Sequence, residues 1–168
     1  TNGNSEADLL HVARASHLYY PGSIKTGKTS RNNTEFKLTS ITTANDLKHE
    51  TKHSAESDCE ATLLTAKLIK DKAPALWKSS FMTTSKSDVL SILEKELMCF
   101  TTENYGGSPK GHLVSFIAQH PVYQYPLVFD LRHDCEHYLN ISIEHLKEEL
   151  KKKPKPIRTI KHSAHPIL

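Results

Sequence analysis

Residues 49–58 read HETKHSAESD. The first five letters match H-E-x-x-H, in which His49 and His53 would stand one helical turn apart with Glu50 beside a metal-bound water, the geometry of a zinc hydrolase. The same stretch places His53 five residues ahead of Asp58 at an apparent helix start. An imidazole titrating near ~6.5 suits proton removal from water, and a carboxylate beside it can hold a metal ion, which is nuclease chemistry. A third pattern competes with both. Residues 22–29, GSIKTGKT, fit G-x-x-x-x-G-K-[ST], in which backbone N–H groups would cradle phosphates, Lys28 would reach them and Thr29 would meet magnesium, with Asp130 of PLVFD as a companion carboxylate.

Each reading needs elements to position it. The zinc reading requires one continuous helix through 49–53, yet Asn45-Asp46 breaks the chain before it and Ser54 is a helix cap just after it, with polar flanks at Lys48 and Lys52. The phosphate loop requires a preceding strand and a helix beginning at Lys28. A helical pattern precedes it instead, and SRNNTE is a poor helix start. A helix start at Ser54 permits the His53–Asp58 reading, beside the plainer one of a loop histidine and a first-turn aspartate that merely favours the helix dipole.

Apolar spacing predicts a helix over 6–18, with Leu9, Val12 and Ala13 on one side, capped by Ser5 and stopped by Pro21-Gly22; a polar loop over 22–34 follows. Thr34 is placed to cap a short helix through Phe36, Leu38, Ile41 and Ala44. Ser54 caps a helix over 55–71, with Cys59, Leu63 and Ala66 on the apolar face and Leu64 and Leu68 broadening it. Pro74 closes that block, and a helix or helical connector is expected over 86–96. From Leu97 the texture changes to short strands, MCFTTENYGGSPKGHLVSFIAQHP, YPLVFDL and HYLNI, as in a small barrel, before Ser142 caps a last helix. A boundary falls near 73–76, giving units at 1–73 and 76–168.

The 168 residues suffice for one ordinary domain or two small ones, and 37% apolar with 24% charged residues is normal for a protein with a core. A net charge of +3 permits contact with phosphates without demanding it. Cys59, Cys99 and Cys135 form neither a zinc pattern nor a disulfide framework, which points to a reducing cytoplasm. No apolar run approaches ~18 residues and no leader pattern is evident, so neither a membrane span nor secretion is expected. The chain begins at Thr1, its methionines are Met82 and Met98, and it ends on HSAHPIL, as expected of a piece of a longer protein.

The stretch EFKLTSITTANDLKHETKHSAESDCEATLLTAKLIK resembles, without a gap, the third exonuclease segment of the bacterial exodeoxyribonuclease I family. The positions that match are Phe36, Lys37, Leu38, Ile41, Ala44, Asn45, His49, His53, Asp58 and Ala66-Lys67-Leu68, with Asp46 where the family has glycine. ADLLHVARASHLYYPGSI resembles the preceding helix and loop, and GHLVSFIAQHPVYQYPLVFDL with YLNISIEHLKEEL is similar to the Src-homology-3-like barrel that follows. The resemblance implies an α+β chain: the helical C-terminal part of an RNase H-like exonuclease domain, then a small Src-homology-3-like β-barrel. It implies a DEDDh-type 3′→5′ exonuclease on single-stranded DNA, in which four carboxylates hold two magnesium ions. Carried over by position, His53 is the general base and Asp58 the last metal ligand. Lys37 falls on a basic position expected to face the phosphate backbone, and Lys25 and Lys28 are further candidates for nucleic-acid contact.

The family's other three carboxylates have no counterpart in this sequence, so the chain alone is expected to lack nuclease activity. Implied partners are single-stranded DNA and single-stranded-DNA-binding protein, with the protein a monomer. The alternatives are a non-catalytic module binding single strands through Lys25, Lys28, Lys37 and the basic run at 151–161, or a phosphate-loop nucleotide-binding protein.

Overall fold

The structure, a computed structural model, describes residues 6–49, 54–105 and 108–168. Helix α1 (Leu9–Tyr19) starts where Asp8 accepts a hydrogen bond from the Leu10 N–H at 2.8 Å. It ends at Tyr20, before Gly22 turns the chain at φ +86°, a conformation that glycine enters without strain. A minimal hairpin follows, β1 (Gly27–Lys28) against β2 (Thr34–Glu35), then α2 (Leu38–Ala44), α3 (Ala55–Lys72), α4 (Pro74–Ser80) and α5 (Lys86–Lys95). Ser54 caps α3 by accepting from the Ser57 N–H at 3.1 Å, as expected, and Glu56 and Asp58 sit in the first turn where the helix dipole favours negative charge.

The α+β class holds. A four-stranded antiparallel sheet, β3 (Cys99–Tyr105), β4 (Ser108–Gln119), β5 (Pro126–Asp130) and β6 (Ile157–Thr159) in that order, stands where the small barrel is expected. Among the described residues the sheet is open, with β3 and β6 at its two edges. Helices α6 (Cys135–Asn140) and α7 (Ile143–Glu149) lie in the connection between β5 and β6.

Three local expectations are corrected. Thr34 lies in β2 and caps nothing; Lys37 is the residue before α2, without a side-chain cap. HYLNI is mostly helical, because Asp134 accepts from the Glu136 N–H at 3.0 Å and starts α6, overriding the aromatic and β-branched texture. The buried face of α3 is Ser57, Ala61, Thr65 and Ile69, whereas Leu63 is 54% exposed and Cys59 is on the surface. Small residues at i, i+4 spacing let α3 approach α1 and α2 closely, and Ile69 supplies the bulk at the far end.

One core gathers Val12, Ala15, Ile24, Ile41, Ile69 and Leu76, with Ile167 from the far end of the chain. A second joins Val89 and Leu93 of α5 to Cys99, Val114, Val128 and Ile160 on the inner face of the sheet. Helix α1 packs on the sheet's other face. Tyr19 donates from its hydroxyl to the Thr101 carbonyl at 3.1 Å, and a Cβ on Gly111 would stand 2.9 Å from that hydroxyl oxygen.

Along the inner face the apolar residues give way to charge. Register places Val114 opposite both Cys99 and Asp130, and Val128 opposite Arg158, so all share one face. Asp130 is fully buried. It accepts from Arg132 Nη2 at 2.7 Å and from Arg158 Nε at 2.7 Å, and Arg158 also donates to Glu103 Oε2 at 2.7 Å. Burial alone would raise the Asp130 pKa, but the hydrogen bonds from Arg132 and Arg158 outweigh it and hold the carboxyl well below the usual range. Burial, then the Arg158 charge, pushes the pKa of buried His112 below its ordinary value.

Truncating Ile69 to Ala is expected to cost about 2–5 kcal/mol in urea unfolding, whereas Leu63→Ala stays within about 0.5 kcal/mol; equal losses would refute the assigned α3 face. Because the folded pKa of His112 is lowered, the unfolded chain takes up the proton first, so stability falls as pH drops below about 6.5. His112→Gln is expected to flatten that part of the stability–pH curve between about pH 7 and 5. Asp130 stays charged there in both states and adds no slope.

Candidate active site

The end of α2 sets the site. Asn45 follows the helix and Asp46 adopts φ +54°, while the Leu47 N–H donates to the Thr42 carbonyl at 2.9 Å. This is a Schellman turn whose left-handed position is taken by aspartate, one of the few residues besides glycine that tolerates it. Asn45 also clamps the hairpin loop: its Nδ2 donates to the Ile41 and Lys25 carbonyls, each at 2.7 Å, and its Oδ1 accepts from the Lys25 N–H at 2.9 Å.

The turn brings His49 back against α2 and α3. Its side chain is only 6% exposed. Nδ1 lies 3.2 Å from Thr42 Oγ1 and Nε2 lies 3.1 Å from Asp58 Oδ1. A carboxylate only accepts, so Nε2 carries a hydrogen and donates it. In a neutral ring Nδ1 then accepts the Thr42 hydroxyl hydrogen, for which the Leu38 and Thr39 carbonyls, both 3.0 Å from that oxygen, compete. One oxygen of Asp58 is thus held from behind. The side chain remains 50% exposed, with Oδ2 making no hydrogen bond among the described residues.

Asp58 stands, as expected, in the first turn of α3, and its side chain is half open to solvent. His53 lies outside the described residues. Lys25 and Lys28 are exposed on the connection between α1 and α2, and Lys37 is paired with Glu35 at 3.1 Å; none of the three bonds to His49 or Asp58. His49 is the residue whose role the sequence reading missed. The family pattern contained it, but only the turn at 45–47 reveals that its partner is nine residues away.

The rival motifs lose their geometry here. His49 is in non-helical chain, so the helix that a zinc H-E-x-x-H requires does not run through it. Lys28 lies in the two-residue strand β1 and no helix begins there, so GSIKTGKT is a loop running into a minimal hairpin rather than a phosphate loop, and Asp130 is fully engaged with two arginines.

No protein-family model matches the sequence. It is 32% identical over 154 residues, 89% of the chain, to Exodeoxyribonuclease I of Haemophilus influenzae, and 29% identical over 152 residues to Exodeoxyribonuclease I of Escherichia coli K12. The chain is related to exodeoxyribonuclease I. It spans about a third of the length of these curated relatives, 33% and 32% respectively. E. coli Exonuclease I, in a crystal structure with a dT13 oligonucleotide, superposes on 98% of the chain with a TM-score of 0.72 at 25% identity, using 38% of that enzyme's chain. Exonuclease I from Methylocaldum szegediense shares the fold over 99% of the chain, with a TM-score of 0.75 at 23% identity. The relationship to exodeoxyribonuclease I thus covers both the helical part and the sheet.

A divalent cation such as magnesium or calcium takes several oxygen ligands. Among the described residues no three His, Cys, Asp or Glu side chains gather to hold an ion, so these residues supply one oriented carboxylate and not a complete centre.

Removing the Asn45 clamp by Asn45→Ala is expected to cost about 0.5–1.5 kcal/mol, because the exposed Lys25 backbone groups then exchange these hydrogen bonds for water. Asp46→Gly is expected to gain up to about 1 kcal/mol by relieving the left-handed residue. Opposite signs in urea unfolding support the turn as described; a loss from Asp46→Gly contradicts it.

Proposed function

We propose that the chain carries the last catalytic motif of a 3′→5′ exodeoxyribonuclease that degrades single-stranded DNA to nucleotides. The observation that carries this reading is the Asp58 carboxylate, held on one oxygen by buried His49 and presented at the start of α3, in a chain related to exodeoxyribonuclease I over 89% of its length. In this reading Asp58 is one ligand of a divalent cation, magnesium, and the remaining carboxylates come from sequence homologous to the rest of the relatives. When bound, two such ions stabilise the attacking and leaving oxygens of the phosphodiester.

His49 orients: its Nε2–H fixes Oδ1 and leaves Oδ2 for the cation, the arrangement by which outer groups aim metal ligands. His53, four residues on, takes the proton from the attacking water. Lys25, Lys28 and Lys37 contribute positive charge along the strand's path, Lys37 partly offset by Glu35. The units 1–73 and 76–168 are the helical part of the nuclease domain and a barrel-like domain. Single-stranded DNA is the substrate. A structural neighbour is described as an ExoI/SSB-Ct complex, which supports single-stranded-DNA-binding protein as a partner. A monomer in the cytoplasm fits three free thiols and, among the described residues, no helix long and apolar enough to cross a membrane.

The test grafts residues 1–168 in place of the matched third of the E. coli enzyme and follows nucleotide release from single-stranded DNA with magnesium. The graft is expected to be active from 3′ ends. Asp58→Asn and His53→Ala are each expected to lower the rate by about 10²–10⁴-fold. Residues 1–168 alone should release no nucleotides under either reading, whereas a graft that binds single strands without hydrolysis would support the rival binding module. An active isolated chain, or a graft indifferent to Asp58→Asn, refutes the assignment.

A further inference from the structure

At the polar end of the sheet's inner face lies a cavity of about 620 Å³, between β3, β4, β6 and the segment 153–155. Its charges do not balance. Arg132 and Arg158 are committed to Asp130 and Glu103, two cations on two anions. Lys110, Lys153 and Lys155 also line the cavity, and none has a side-chain hydrogen bond or ion pair among the described residues. His112 lines it too. Its ring is 3% exposed, and among the described residues neither ring nitrogen makes a hydrogen bond, although Nδ1 stands 3.2 Å from Asp130 Oδ2 and Nε2 3.7 Å from Glu103 Oε2.

Such a site rejects cations and suits an anion that can take several donors at once. A phosphate meets both conditions: three lysines act as point charges around a wall whose two arginines are already paired. The volume exceeds a bare phosphate and matches a nucleotide. Pro154 and Ile157 supply an apolar wall for a sugar, and among the described residues no Phe, Tyr or Trp ring lines the cavity, so a base would find no broad stacking platform. We propose that this cavity binds the phosphate of a nucleotide, without base preference. That the ester is a nucleotide rests on the nuclease reading above; that the ligand is a phosphate does not. The phosphate has two sources with the same chemistry, a phosphodiester of the bound strand or the 5′-phosphate of a released mononucleotide.

The experiment is an NMR titration of the full 168-residue chain, following the His112 ring and the Thr159 amide. The probes are inorganic phosphate, thymidine 5′-monophosphate, thymidine, an oligothymidylate and a Glu/Asp-rich peptide. Saturable shifts are expected with both phosphates and the oligonucleotide, none with thymidine, and weakening as salt rises. Lys110 and Lys155 are exposed, so Lys110→Gln with Lys155→Gln should leave the remaining amide spectrum unchanged while weakening phosphate binding at least about tenfold. Affinity that grows with strand length assigns the site to the strand; equal affinity for the mononucleotide assigns it to product. Absence of saturable shifts with any phosphate, an unchanged affinity in the double variant, or tighter binding of the acidic peptide overturns the proposal. Failure of the nuclease reading would leave the inorganic phosphate response intact.

Discussion

The imidazole of His49 joins the two helices on which the candidate chemistry depends. With Nδ1 on Thr42 of α2 and Nε2 on Asp58 of α3, the buried ring fixes the carboxylate relative to the rest of the helical core. Everything nearby serves that placement. The Schellman turn reverses the chain after α2, Asn45 pins the turn to the hairpin loop, and Ser54 starts α3 so that Asp58 emerges within its first turn. A buried imidazole with both nitrogens engaged resists rotation, since turning it would leave polar atoms without partners. Rigidity of this kind is what a metal-binding carboxylate needs, because a ligand free to rotate must be ordered again at each binding event.

The acidic groups of the two halves make an instructive contrast. Among the described residues Asp58 keeps one oxygen uncommitted, and half its surface is open. Asp130 is fully enclosed and receives two guanidinium groups, one of which also serves Glu103. The first arrangement holds a charge ready for an external partner; the second neutralises a charge so that strands β4, β5 and β6 can be joined at their polar end. Buried ion pairs of that sort add little net stability over apolar packing, but losing one partner is costly because the other remains charged and dry. The lysines around that cluster, rather than its carboxylates, are the groups left over.

Much of the fold was legible in sequence because its signals are local. Ser54 and Ser142 announced their helices, Pro21-Gly22 closed the first, and YPLVFDL read as a strand. What failed depended on neighbours. Leu63 belongs to an apolar pattern but faces solvent, since the helices that α3 meets require small residues at Ser57, Ala61 and Thr65. HYLNI carries the residues of a strand, yet one capping carboxylate at Asp134 suffices to start a helix. In the candidate site Asp58 could be picked out by motif and resemblance, whereas the His49 contact could not: it arises from a left-handed residue at Asp46, where the family pattern has glycine, and from a reversal that no spacing displays. The basic run at 151–161 reads as a solvated helix end, and Lys151 and Lys152 do pair with Glu148 and Glu149. Arg158, from the same run, is drawn into the sheet by Asp130, a partner 28 residues away.

The most direct measurement is a crystal structure of the grafted enzyme with a short oligothymidylate and calcium in place of magnesium to stall cleavage. The account predicts an ion bound directly to Asp58 Oδ2 while Oδ1 keeps its hydrogen bond from His49 Nε2. An ion in that domain with no contact to Asp58, or His49 turned away from the carboxylate with the ion in place, contradicts it.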